Sequence, residues 1–300
     1  MWDKITAFFL AIVLFFCNLF GIEYKGEIFT ETENSYYYQD LAYGDHERQK
    51  LDLHIPKNSD GEVGLVLMIH GGAWVAGDKS GYTDYIKSWA DKGYAAATIN
   101  YRYLSYEVSF DDILDDVGNA LKVIKETGAE HSVNINKMLL SGHSAGGHLA
   151  MLYPYARGES SPIEPVAIAN YCGPTDLLDP NFYNENANDA LKELYRQIAS
   201  LVYGSELTLD KAYLANDLLK KASPLYYVTE NTIPTVINHG VVDDTVPYSN
   251  ALSLQAKFAE LGVTHIMNTY PNSGHGLNND PEAQAKADEY FALYVETYLN

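Results

Sequence analysis

Cysteine is scarce: the chain has two, Cys17 and Cys172, and Cys17 lies within an apolar N-terminal stretch. Removal of that stretch leaves Cys172 alone, which excludes an intramolecular disulfide, and no Cys/His spacing reads as a metal site. Neither a metal nor a cofactor is expected. Basic residues are also few, 20 Lys and Arg against 40 Asp and Glu, for a formal net charge of −20. Phosphate repulsion then opposes every encounter with nucleic acid, so a nucleic-acid partner is excluded. Internal repeats and low-complexity linkers are absent. With 300 residues, 47% of them hydrophobic, one large domain with a core on both faces of a sheet is the economical reading.

The apolar stretch runs from Ile5 to Phe20 behind a short Met1–Lys4 segment carrying one aspartate and one lysine. It is shorter than the roughly 20 residues of a membrane span and close to the core of a secretory signal. Residues 1–21 are therefore read as a signal peptide or membrane anchor and residues 22–300 as the folded domain. A secreted or extracytoplasmic protein is expected. Bulky Leu19 and Phe20, in place of a small-x-small cleavage site, keep an anchor formed by residues 5–20 as the alternative.

Short apolar strands alternate with helical patterns through the rest of the chain, which predicts an α/β domain with a mostly parallel sheet. Strands are expected at Leu65–Ile69, Tyr94–Ile99, Met138–Leu140, Val166–Tyr171, Pro234–Gly240 and His265–Tyr270. Helices are expected at Ile113–Glu126, Ser249–Leu261 and Glu282–Tyr298, and the stretch from Tyr36 through Ile55 suits an antiparallel start to the sheet. An insertion of about residues 175–233 is too long for a plain crossover, and Asp189–Tyr203 and Leu209–Lys221 read there as two helices.

Chemistry concentrates in Gly142-His143-Ser144-Ala145-Gly146, a G-x-S-x-G pattern between a strand and a helix opening at Ala145. Glycines two before and two after the serine remove Cβ atoms from a sharp, strained turn, which nominates Ser144 as a nucleophile. An acyl-transfer serine also needs oxyanion donors, a base and a group that orients the base. Upstream, Ile69 runs into His70-Gly71-Gly72-Ala73-Trp74, where Gly71 and Gly72 offer N–H groups and Ala145, at a helix N-terminus, offers a third. Ala73 stands where the fuller motif has another glycine. Downstream, the strand ending at Gly240 leads to Asp243 and Asp244, either of which fits the orienting acid. His275, flanked by Gly274 and Gly276 on a later loop, fits the base. Of the nine histidines only His265 and His275 follow the acid in the order Ser, Asp, His, and His265 has no motif around it. His70 and His143 belong to the oxyanion loop and the elbow, His148 reads as a packed helix residue, and His239 as a residue beneath the site.

Taken together, HGGAW at 70–74, GDK at 77–79, NYR at 100–102, GHSAGGHLA at 142–150, GPTDL at 173–177, SPLYYV at 223–228, HGVVDDTVP at 239–247 and SGHG at 273–276 resemble the α/β-hydrolase superfamily. Within it they are similar to carboxylesterases related to hormone-sensitive lipase and to the bacterial feruloyl-esterase-like group. The resemblance implies an α/β-hydrolase fold, a mostly parallel sheet flanked by helices with the insertion as a helical cap. It places the acid four residues before the proline of D-x-x-V-P, hence Asp243, giving a Ser144, Asp243, His275 triad with Gly71, Gly72 and Ala145 as oxyanion donors. Trp74 would line the entrance or acyl pocket. Asp78, Lys79, Asn100 and Arg102 look structural. The implied activity is serine carboxylesterase chemistry on a small-molecule or polysaccharide-linked ester. Amide hydrolysis, as by an arylformamidase or peptidase with the same triad, and a catalytically silent binding domain are the alternatives.

Overall fold

The computed structural model describes residues 28–57 and 61–300. The signal-or-anchor reading of residues 1–21 lies outside the described residues. Among the described residues no helix is long and apolar enough to cross a membrane.

Nine strands form one sheet: β1 (Ile28–Glu31), β2 (Ser35–Ala42), β3 (Lys50–Pro56), β4 (Glu62–Ile69), β5 (Ala95–Ile99), β6 (Asn134–His143), β7 (Glu164–Tyr171), β8 (Thr235–Gly240) and β9 (His265–Tyr270). Their spatial order is β1-β2-β3-β5-β4-β6-β7-β8-β9. β1, β2 and β3 are antiparallel to their neighbours, while β5, β4, β6, β7, β8 and β9 run parallel. The helices are α1 (Thr83–Ala90), α2 (Phe110–Glu130), α3 (Ala145–Arg157), α4 (Asp189–Tyr203), α5 (Asn216–Lys221), α6 (Ser249–Leu261) and α7 (Pro281–Tyr298).

The unbroken apolar run of β4 follows from burial on both faces. Leu65, Leu67 and Ile69 pack into a core with Ile113 and Val117 of α2 and Leu149 of α3. Val66 and Met68 point the other way, into a second core with Ile86 and Trp89 of α1 and Phe291 and Val295 of α7. Alternation along a strand thus divides one hydrophobic segment between two helical layers. Helix α2 begins three residues before the first residue expected of it, because Ser109 and Asp112 form a capping box: Ser109 Oγ accepts from Asp112 N–H at 3.2 Å and the Asp112 carboxylate accepts from Ser109 N–H at 2.8 Å.

Between β7 and β8 stands the helical insertion. Helix α4 is capped by Asn188, whose side chain accepts from Leu191 N–H at 2.8 Å, and stops at Gly204 with φ 87°. The stretch read as a single helix over Leu209–Lys221 is a 3₁₀ segment, Leu209–Ala215, followed by α5. Its buried residues, Ala212 and Ala215, recur every three positions, the period of a 3₁₀ turn; the wider step to buried Leu219 suits the α-helix that follows.

Because β4, β6, β8 and β9 are parallel, the segments that follow them, headed by His70, Ser144, Val241 and Pro271, leave the same edge of the sheet. This carboxyl edge is where open α/β sheets carry their sites.

Candidate active site

Ser144 links β6 to α3 with φ 58° and ψ −124°, a conformation costly for any residue bearing a Cβ. Close packing enforces it. A Cβ on Gly146 would stand 2.0 Å from the Ile69 carbonyl oxygen, and one on Gly142 would stand 2.5 Å from the same atom. The elbow is therefore pressed against the end of β4, and the chain can turn only where those glycines stand.

Asp243 follows β8 and His275 follows β9. His275 Nδ1 donates to Asp243 Oδ2 at 2.8 Å. The other carboxylate oxygen accepts the N–H groups of Thr245 and Val246, each at 2.9 Å. Burial alone would raise the Asp243 pKa, but hydrogen bonds from His239 and His275 outweigh it and hold the carboxyl well below the usual range. Asp243 is thus ionised throughout the neutral range. Asp244, the neighbouring candidate, is exposed and turned to Thr245 Oγ1, 3.3 Å away.

The His275 loop is closed on itself by Asp280. That carboxylate accepts Asn272 N–H at 3.0 Å and Ser273 Oγ–H at 2.5 Å, and Ser273 Oγ accepts Asn279 N–H at 3.0 Å. From the elbow, His143 Nε2 donates to the His275 carbonyl at 2.7 Å, and the two rings lie 4.7 Å apart. Burial lowers the His143 pKa against the opposing effect of its bond to the His275 carbonyl, so it serves this bond as a neutral ring. Among the described residues the Ser144 hydroxyl has no hydrogen-bond partner. A serine–base bond in an unliganded site is often loose and tightens when substrate binds.

A cavity enclosing about 490 Å³, its open mouth included, begins at Ser144. Ala73, Trp74, Ala145 and Pro174 line it from the sheet side; Phe182, Leu194, Tyr195, Ile198 and Leu219 line it from the insertion. Among the described residues no charged side chain lines it. Gly71 lies under the elbow, where a Cβ would meet the His143 carbonyl oxygen at 2.7 Å, and Gly72, with φ 115°, accepts Val75 and Ala76 N–H at 3.0 and 2.9 Å. This tight turn delivers Ala73 to the cavity wall. Trp74 is buried and lines the cavity, while its Nε1–H donates to His148 Nδ1 at 3.1 Å.

The remaining motif residues tie the frame together. Lys79, 4% exposed, bridges Asp40 at 2.8 Å and Asp52 at 2.7 Å. Asn100 Nδ2 donates to Asp78 at 2.7 Å, and Arg102 pairs with buried Asp116 at 2.9 Å. Two trios, His143–Cys172–His275 and Cys172–His239–Asp243, bring metal-ligand atoms within 4.8 Å of one another. Asp243 and His275 are hydrogen-bonded to each other through Oδ2 and Nδ1. The Cys172 thiol is pushed well above its ordinary pKa by burial first and by the Asp243 charge second, so it stays protonated.

Two contributors escape a reading of spacing. His239 Nε2 lies 3.3 Å from Asp243 Oδ2 and donates to the Val246 carbonyl at 2.9 Å. His148 joins residues 74 positions away on either side, Trp74 and Ala222. Their motifs, HG before the acid and GGHLA after the elbow, were the only sequence signal of either.

The strand order, with a strained serine between β6 and α3, is that of the α/β-hydrolase fold. Within that fold the chain belongs to the BD-FAE family, whose model matches residues 51–258. Isoprenylcysteine alpha-carbonyl methylesterase ICME of Arabidopsis thaliana is 26% identical over 79% of this chain and 59% of its own length. Esterase LipQ of Mycobacterium tuberculosis is 24% identical over 80% of this chain and 57% of its own. The chain thus spans somewhat over half the length of these curated relatives. Among solved structures, a truncated carbohydrate esterase from gut microbiota superposes with a TM-score of 0.69 at 21% identity, covering 88% of this chain and 98% of that one. Esterase B from Lactobacillus rhamnosus does so with a TM-score of 0.69 at 20% identity, covering 98% and 93%.

Proposed function

We propose that the protein is a serine carboxylesterase that works through an acyl-enzyme on Ser144. The observation that carries this reading is the Asp243–His275 pair at 2.8 Å on the sheet edge that also presents Ser144, φ 58°, to an uncharged cavity. Kinship with named esterases supports the reaction class.

In the first step His275 takes the Ser144 proton as Oγ attacks the ester carbonyl carbon. Asp243 holds the imidazole with its hydrogen on Nδ1 and stabilises the imidazolium that forms. The carbonyl oxygen gathers negative charge and is met by amides of the Gly71–Gly72–Ala73 turn and of Ala145 at the α3 N-terminus. Collapse of the tetrahedral intermediate expels the alcohol, protonated by His275. Water, deprotonated by the same histidine, then frees the acid and restores Ser144.

The substrate is a small-molecule or polysaccharide-linked ester with an uncharged, largely apolar group for the cavity, since a buried ion there would find no counter-charge. The apolar run at residues 5–20 supports action outside the cytoplasm, by secretion or through an anchor. The reading is tested by turnover of p-nitrophenyl acetate, butyrate and octanoate, methyl ferulate and acetylated xylan by the purified protein and by Ser144→Ala. Ser144-dependent hydrolysis of at least one ester is expected; hydrolysis that survives in the variant overturns the reading.

A further inference from the structure

The turn that faces Ser144 contains two consecutive residues with a Cβ in the left-handed region, Ala73 at φ 49° and Trp74 at φ 63°. Neither conformation is favourable for such a residue, so neighbouring contacts must hold both. Three backbone bonds contribute: Val75 and Ala76 N–H to the Gly72 carbonyl, and Leu104 N–H to the Trp74 carbonyl at 2.9 Å. The Trp74 ring stands edge-on to Phe110, 5.2 Å between centroids, and to His148, 4.9 Å. The side-chain polar anchor is Trp74 Nε1–H to His148 Nδ1.

His148 is suited to hold a neighbour still. It is fully buried on α3, and its N–H donates to the Ser144 carbonyl at 3.0 Å, so it is built into the elbow's first turn. An indole N–H can only donate, so His148 Nδ1 must be bare and Nε2 must carry the hydrogen. That hydrogen goes to the Ala222 carbonyl, 2.6 Å away, just past α5 at the end of the insertion. Both ring nitrogens are used and one tautomer satisfies both. Burial, which lowers the His148 pKa to about 4, keeps the ring neutral under ordinary conditions.

We propose that His148 is a positioning residue for the oxyanion turn: through Trp74 Nε1 it sets the angle of the Ala73–Trp74 backbone, and through Ala222 it couples that angle to the insertion. The inference rests on the reading that amides of this turn and of Ala145 receive the oxyanion. Misaimed donors weaken the transition state more than the bound ester, so the loss falls on kcat. A residue that merely packs would change stability and leave the kcat-to-KM division untouched.

The test is a double-mutant cycle in the full-length protein, with active sites titrated by a fluorophosphonate and assays run well below the melting midpoint. Trp74→Phe removes the N–H and keeps an aromatic ring; His148→Phe removes the acceptor. Each single variant is expected to lower kcat about tenfold with KM within about twofold, and the double variant to lose no more than the worse single one. His148→Asn, whose Oδ1 can stand in for Nδ1, should recover most of the loss. Wild-type kcat in Trp74→Phe, additive losses, or losses confined to KM would overturn the proposal. Ser144→Ala and His275→Ala separate the two levels: if they are inactive while Trp74→Phe is normal, this inference alone fails, and if they remain active the esterase reading itself fails.

Discussion

His239 Nε2 stands 3.3 Å from Asp243 Oδ2, the same carboxylate oxygen that accepts from His275 Nδ1 at 2.8 Å. Oδ1 accepts two backbone amides and Oδ2 accepts His275 Nδ1–H, with His239, whose Nε2–H donates to the Val246 carbonyl, packed beside it. His239 is fully buried, and its Nδ1 has no partner among the described residues, so its contribution to the site runs through Nε2. His239→Phe keeps a ring of similar size and removes that donor. It should lower kcat about tenfold, while His239→Gln, which can return an N–H near the Nε2 position, should stay within a few-fold of wild type. Steady-state kinetics on a p-nitrophenyl ester reads this directly.

The two adjacent aspartates separate cleanly. In the proposed mechanism Asp243→Asn removes the charge that stabilises the imidazolium, and it should reduce kcat by about 10³-fold or more. Asp244→Asn, altering an exposed side chain, should change kcat by less than about twofold. Equal losses in the two variants would reject Asp243 as the orienting acid.

Acid sensitivity follows from three buried histidines. Burial lowers the pKa values of His54, His70 and His148 from 6.5 to about 4. As pH falls from about 6.5 toward 4 the unfolded chain takes up protons that the folded protein does not, so stability declines across that window. For fully buried His148 the loss is on the order of 3 kcal/mol at the bottom of the window. Asp243, with its pKa depressed, adds stability that is present above the ordinary carboxylate pKa and drains away at still lower pH. Urea midpoints measured between pH 7 and pH 4.5 should fall steadily, and His148→Gln should flatten the slope.

Cavity shape should govern chain length. Ile198 and Leu194 of α4 form part of the wall of the cavity that Ser144 also lines. Ile198→Phe adds bulk to a packed wall and should lower octanoate turnover about tenfold relative to acetate, leaving acetate within about threefold. An unchanged acetate-to-octanoate ratio would place the acyl group elsewhere.

Much of this architecture was legible in the chain because local rules and tertiary packing agree. The run Leu65–Ile69 reads as a doubly buried strand and is one, and Ser249–Leu261 is helical from its first residue to its last. Gly142 and Gly146 flag the elbow because no residue with a Cβ fits against Ile69 there. The short antiparallel strand β1 was not foreseen, since four residues carry too little periodicity to announce a strand. Helical period over 209–221 concealed a change from three to four residues between buried positions. The partners of His148 and His239 were hidden for a different reason. A buried imidazole between Trp74 and Ala222 depends on three segments meeting, and spacing along a chain carries no record of that.

The proposed catalysis requires a covalent acyl bond to Ser144 Oγ. Rapid acid quench of the protein during the first turnovers of p-nitrophenyl butyrate, followed by peptide mass mapping, reads it directly. A butyryl group on the peptide containing Ser144, appearing with the initial release of p-nitrophenol and absent in Ser144→Ala, is the predicted result. Sustained p-nitrophenol release by Ser144→Ala, or a butyryl group on another residue with Ser144 unmodified, would contradict it.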